Sequence, residues 1–260
     1  MILWRRIRPF LSTFVRFMHI SYLEAKSQYQ GARLGLLWIP ASTLIFTAML
    51  ALVFRHSDTM SLTDFFLYVL SGFTLWGFIQ DSVNGSTDVI QKKLEFAIHN
   101  NLTLAGLFGK LLIDRLFEYS INLALLLAAM LVLSPVKFGL ELALFIPFLA
   151  IIIPTSLAIG YLVNILTIFF PDLASLIRTA TRFVFFASPI FWVASERGGV
   201  RAFLSDYNPV SYYMGMCRQV FGIMPLEASA WVGSILISLA LCTVGSVTYA
   251  RSHSFVRNIK

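Results

Sequence analysis

The chain has 260 residues, of which 58% are hydrophobic and only 13% charged, with a net charge of +7. A soluble domain of this length holds about twice that charged fraction, so a soluble enzyme or soluble binding domain is excluded. Runs of about 20 apolar residues follow one another, each long enough to cross a hydrocarbon core as a helix. The alternating segments of about 10 residues that build a membrane barrel are absent, and the composition predicts an all-α membrane protein.

In the N-terminal stretch, residues 7–28, Arg5, Arg6 and Arg8 precede or open an apolar segment broken by Arg16 and His19. Arg16 near its middle costs ~3 kcal/mol of insertion, which cancels the gain of about 0.3–0.6 kcal/mol from each Ile, Leu, Phe and Val. No small-residue cleavage site follows, so the stretch does not read as a signal peptide. Phe10, Phe14, Met18, Tyr22 and Ala25 recur at helical spacing, with Leu11 and Val15 beside them. The pattern predicts an amphipathic helix lying in the membrane interface. "YQGARLGLLWIP", residues 29–40, joins it to the first span. Gly31 and Gly35 allow a turn there. Arg33 is expected at the headgroups and Trp38 just inside them, and Pro40 falls near the first helical turn.

Six spans are expected, at about 36–54, 62–83, 111–133, 142–170, 175–194 and 228–250. The fourth holds Pro147 and Pro154, which predicts a kink or tilt. Asp114, Arg115 and Glu118 open the third and are expected at a helix end facing water or protein. Asn164 is the main polar group expected in mid-membrane. An even number of spans leaves both termini on one side, and fifteen of the twenty Lys and Arg residues fall there. The other five are Arg55, Lys137, Arg197, Arg201 and Arg218. The positive-inside rule therefore places both termini in the cytoplasm. The whole chain, 1–260, reads as a single membrane domain: interface segment 1–35, six-helix unit 36–250 and tail 251–260.

Three connecting regions are patterned. In 84–110, Ser86, Thr87 and Asp88 offer helix caps. Ile90, Leu94 and Ile98 form an apolar stripe opposite Gln91, Lys92, Glu95 and His99. This predicts a short amphipathic helix, resting either on lipid headgroups or against a partner. In 195–227, Asn208 is a good N-cap, Pro209 a good first residue and Gly222 a good terminator. A helix from Pro209 to Phe221 is too short to span, and is expected to be re-entrant or to serve as an aromatic interface anchor. In 171–182, Arg178 and Arg182 lie one turn apart on a helix face. They either snorkel to headgroups or pair with Asp172, Asp114 or Glu118.

Catalytic chemistry is not apparent. The four histidines are scattered, and Cys217 and Cys242 lie far apart without metal or redox spacing. "AGLFGKLL", 105–112, has two residues between its glycines where a phosphate loop has four, and Leu111 where that loop places Ser or Thr. No nucleotide site, metal or other cofactor is expected in this chain, and no nucleic-acid partner is implied.

Four segments in order resemble the membrane subunit of ATP-binding-cassette polysaccharide exporters, the type-two permeases for O-antigen, capsule or teichoic acid. They are "YQGARLGLLWIP" (29–40), "LYVLSGFTLWGFIQDSVNGS" (67–86), "FFPDLASLIRTATRFVFFASPIFW" (169–192) and "YNPVSYY" (207–213). Gln30 departs from the basic residue common after the tyrosine, and Pro171 stands where many O-antigen permeases carry arginine. The resemblance implies a homodimer in the bacterial inner membrane enclosing a path for a lipid-linked glycan. ATP and magnesium would be bound by a separate nucleotide-binding subunit. It implies a coupling helix in 84–110 using Lys92, Lys93, Glu95 and His99. It implies a lipid-phosphate access region of Arg5, Arg6, Arg8, Arg16, Arg33 and Trp38. Asp172, Arg178 and Arg182 would form the base of the fifth span. Tyr207, Asn208, Tyr212, Tyr213, Phe191 and Trp192 would belong to an outer gate and glycan path. The alternatives are an exporter of the same architecture for another amphiphile, a lipid or a drug, and a membrane-embedded enzyme acting on polyprenyl-linked sugars.

Overall fold

A computed structural model describes residues 2–55, 60–135, 139–193 and 199–257. Arg197 and Lys137, counted above for orientation, lie outside the described residues, as do the side chains of Arg5 and Arg6. The described chain is helical: α1 (Ile2–Gln28), α2 (Trp38–Phe54), α3 (Leu62–Asn84), α4 (Val89–His99), α5 (Leu104–Leu133), α6 (Phe145–Phe169), α7 (Leu173–Ala187), α8 (Val200–Tyr207), α9 (Pro209–Val220) and α10 (Ala228–Arg257). Short 3-10 turns lead into α2 and α6.

Local chemistry sets several of these boundaries. Gly31 and Gly35 adopt φ of +90° and +51°, left-handed values that a Cβ disfavours, so the chain turns between α1 and α2 as the sequence predicts. Ser61 caps α3, its Oγ accepting from the Asp64 N–H at 3.1 Å. Thr103 caps α5 through the Gly106 N–H, also at 3.1 Å. Asn208 caps α9 through the Val210 N–H at 2.9 Å, Pro209 fills the first position, and Gly222 follows the helix with φ +60°. The expected boundaries of α9 are thus found to within one residue.

Among the described residues, five helices are long and apolar enough to cross a membrane: Gly35–Phe54, Leu62–Asn84, Leu104–Leu133, Leu140–Phe169 and Ala228–Ser252. The expected fifth span, 175–194, is instead the 15-residue α7 followed by a buried turn at 188–193. This segment runs antiparallel to α3. Arg178 reaches Thr87, Thr181 reaches Asn84, Phe185 packs on Trp76 and Phe73, and Pro189 meets Tyr68.

α3 is the centre of the bundle, with Leu67, Val69, Leu70 and Leu75 fully enclosed. Around it pack α2, α5, α6, α7 and α9, while α10 lies along α6 and α9. Gly245 permits that last packing, because a Cβ there would sit 3.0 Å from the Ala158 Cβ. A smaller apolar cluster joins α4, α5 and α6 through Val89, Ile90, Leu107, Phe108, Tyr161 and Ile165. The bundle therefore has two built ends, one carrying α1 and α4 and the other carrying α9.

Candidate functional site: the α4 end and the α9 end

At the first end, α1 is an integral part of the fold rather than a free surface helix. Phe17, Ser21 and Ala25 are buried against α5, and Tyr22 meets Phe117 edge-on. The buried face thus differs from the sequence stripe: Phe14 and Tyr22 stay largely exposed, as do Leu11 and Val15. The reason is polar. Ser21 donates to Asp114 at 2.6 Å. Lys110 donates to Glu24 at 2.5 Å and also to Asp114. Lys93 from α4 lies 3.9 Å from the other Asp114 oxygen. One buried lysine therefore ties α1 to α5 while α4 leans on the same carboxylate.

This arrangement corrects the expectation for the third span. α5 begins at Leu104, so Asp114 and Arg115 lie about three turns inside it. Arg115 is buried, donating to Ser86 and, at 3.5 Å, to Ser156. Ser156 in turn pairs with Ser82 at 2.7 Å. Gly160 leaves room for this network, since a Cβ there would lie 2.9 Å from the Ser86 Oγ. The charges are accommodated in the helix interior because neighbouring helices supply their partners. The 105–112 segment that superficially suggested a phosphate loop is helix, lying in the first turns of α5.

α4 is the predicted amphipathic helix, but its cap and one of its faces differ from expectation. The Ser86 hydroxyl bonds Ser82 O at 2.9 Å, Thr87 bonds Asn84 O at 2.9 Å, and Asp88 pairs with Lys92 at 2.6 Å. None of the three caps α4. Val89, Ile90 and Ala97 are buried, whereas Ile98 is 56% exposed and falls on the outer face with Lys92, Glu95 and His99. Ile98 turns outward because the sequence stripe advances four residues per step, faster than the 3.6-residue turn. Asn164 is likewise not a mid-membrane group. It stands five residues from the end of α6, fully buried, and faces α4.

Of the access residues, Arg8, Arg16 and Arg33 are exposed, and Trp38 is 42% exposed at the start of α2. Arg16 also lies 5.5 Å from the Phe17 ring centroid. Asp172 is exposed ahead of α7 and makes no capping bond. Of the two alternatives for Arg178 and Arg182, pairing with Asp172, Asp114 or Glu118 is not formed: Asp114 is engaged by α1 and α5, and Arg178 turns to Thr87 at 3.5 Å and Ser175 at 3.4 Å. Arg182 is exposed.

At the opposite end, sequence reasoning missed the central residue. Arg218, counted as an outer-side charge, is 1% exposed inside α9. It donates to Pro189 O at 2.6 Å, to Tyr68 O at 3.3 Å and to Ile190 O at 3.5 Å. Its guanidinium carbon also lies 3.4 Å from the Tyr68 ring centroid. Tyr68 donates its hydroxyl to the same turn, at Pro189 O and Trp192 O, both 3.2 Å. Gly72 makes the space, because a Cβ there would lie 2.7 Å from the Arg218 Nη2. Asn208 donates to Ser188 at 2.8 Å, so α3, the 188–193 turn and α9 are stitched together.

The six gate residues divide accordingly. Phe191, Trp192 and Tyr213 are buried, the last paired with Ser238 at 2.7 Å. Asn208 is a cap and Tyr212 donates to Asp206 O at 2.9 Å. Tyr207, at 75% exposure, presents its ring beside the exposed Phe203 at 4.6 Å.

Long apolar helices lying between a short charged helix, α4, at one end and the buried α9 at the other suit a multi-pass membrane protein. The chain is similar to the O-antigen export system permease protein RfbA of Myxococcus xanthus, with 23% identity over 248 residues, 91% of this chain and 92% of the relative. The likeness to polysaccharide-export permeases drawn from the four segments is borne out by this relative. No family model matches the chain.

Proposed function

We propose that the chain is the membrane subunit of an ATP-driven exporter that moves a lipid-linked polysaccharide across a bacterial inner membrane. ATP is hydrolysed by a separate nucleotide-binding subunit. The observation that carries this reading is α4. One of its faces is locked into α5 and α6, while Lys92, Glu95, Ile98 and His99 form a charged free face at the end of the bundle. Such a face suits a protein partner that must push on the membrane helices.

α7 serves as the sixth crossing in this reading. It and its turn run along α3 from Asn84 to Tyr68, about 24 Å at 1.5 Å per residue. Six crossings and the positive-inside bias put both termini, α1 and α4 in the cytoplasm. The outward face of α7 mixes Arg178, Thr179 and Arg182 with Phe183 and Phe186, which are 72% and 64% exposed. Charged groups facing lipid are costly, so a second copy covers this face and the two enclose the path. A glycan offers many hydroxyls and little charge; aromatic rings and exchangeable hydroxyl donors match it. The exposed arginines of α1 and Arg33 attract the lipid phosphate at the inner leaflet, at about 1 kcal/mol each near an anionic surface.

The test is transport in vesicles holding the chain with its nucleotide-binding subunit. Lipid-linked glycan export is expected to need ATP, and Lys92→Ala with Glu95→Ala to abolish it while the complex still assembles. Normal export by that variant overturns the role of α4. Export of another amphiphile in place of glycan overturns the substrate.

A further inference from the structure

α4 is capped from outside its own segment. Its N-cap residue, Asp88, makes no capping bond and is held by Lys92. The Ile90 N–H, one of the donors that a helix leaves unsatisfied at its start, is directed instead at the Asn164 side-chain oxygen of α6, at 3.4 Å. The Asn164 amide nitrogen donates to Gln91 Oε1 at 3.0 Å. Both polar ends of this fully buried side chain are therefore spent on the first turn of α4. Asn164 belongs to a helix that reaches the rest of the bundle, through Ser156 to Ser82 of α3 and through Tyr161 to Ser252 of α10, both at 2.7 Å.

Building on the exporter reading above, we propose that Asn164 is the positioning residue that transmits displacement of α4 to α6. A leucine of similar size would preserve packing between α4 and α6 but leave them free to slide. The amide fixes register because its donor and acceptor meet two adjacent residues of α4. A buried amide that loses these partners costs enough to change an equilibrium by about tenfold or more.

The experiment compares glycan exported per ATP hydrolysed in the reconstituted complex for the unmodified chain, Asn164→Leu, Asn164→Asp and Gln91→Leu. A defect in folding or assembly lowers both quantities together, whereas a coupling defect lowers their ratio. Asn164→Leu is expected to lower the ratio by roughly tenfold with ATP hydrolysis retained. Asn164→Asp, which keeps the acceptor for Ile90, is expected to retain most of it. Gln91→Leu, at an exposed position, is expected to lower it by less than Asn164→Leu. An unmodified ratio in Asn164→Leu overturns the proposal, as does an unmodified ratio in Gln91→Leu if Asn164→Leu fails to assemble. Amide hydrogen exchange of α4 in the chain alone gives a readout independent of cargo: Asn164→Leu is expected to speed exchange at Ile90, and unchanged protection refutes the contact. Should the unmodified complex export no glycan, the exporter reading fails, and the exchange result still decides the role of Asn164.

Discussion

Replacing Arg218 by methionine tests whether the α9 end of the bundle is held by one buried cation. Two of its acceptors would not be orphaned: Pro189 O keeps the Tyr68 hydroxyl at 3.2 Å, and Tyr68 O keeps the Ser71 hydroxyl at 3.0 Å. The loss is then a charge-assisted hydrogen bond, about 1.5–3 kcal/mol, and a desolvated cation–π contact, about 2 kcal/mol. Against this stands relief of the cost of burying a cation, since no carboxylate pairs with Arg218 among the described residues. The net destabilisation is about 2–3 kcal/mol. At about 2–4 °C per kcal/mol for a chain of this size, Tm of the detergent-purified protein should fall by about 5–10 °C. Gly72→Ala supplies the control. Its Cβ would force the guanidinium off its carbonyls, so it should destabilise the unmodified chain and do little when combined with Arg218→Met. A Tm within about 1 °C of the unmodified protein for Arg218→Met, or additive losses in the double variant, would refute the clamp.

Two further outcomes follow from the same geometry. Lys110→Met removes the cation shared by Glu24 and Asp114; stranding one member of a buried ionic group costs about 3–5 kcal/mol, reduced here because Glu24 is half-exposed. α1 should loosen from α5, seen as faster trypsin cleavage at Lys26 with the rest of the bundle still resistant; unchanged cleavage would place the strength of this joint in its apolar contacts. Asn208→Ala removes both the cap of α9 and the bond to Ser188, about 1–2 kcal/mol, and should lower Tm by a few degrees, whereas Asn208→Asp, which keeps the cap acceptor, should fall between the two.

Features governed by local chemistry were legible in the sequence. The glycine turn at 31–35, the Asn-Pro start and glycine end of α9, and the amphipathic character of α4 depend on neighbouring residues alone. What escaped depends on partners far along the chain. The partners of Arg115 come from the turn after α3 and from α6, those of Lys110 from α1 and its own helix, and a charged residue without visible company was assigned to a surface. Gly72 and Gly160 were the available signals, small residues one or two turns from polar groups, yet they become meaningful only once the opposing helix is known. α7 differs in another way. Its apolar residues suggested one continuous helix over 175–194, but the helix stops at Ala187, where Ser188 and Pro189 open the turn that receives Arg218.

The clamp also bears on the order in which the chain is built. The acceptors of Arg218 precede it, Tyr68 by 150 residues and Pro189 by 29. Synthesis therefore delivers the receiving site before the cation, with α10 still to follow once α9 has emerged. A ribosome stalled after α8 would hold a bundle whose Tyr68–Pro189 end is open but lacks the arginine that fills it. Once α9 follows, the arginine has a preformed set of carbonyls and a tyrosine face to enter, so the most costly group at that end need not wait in lipid for its partners.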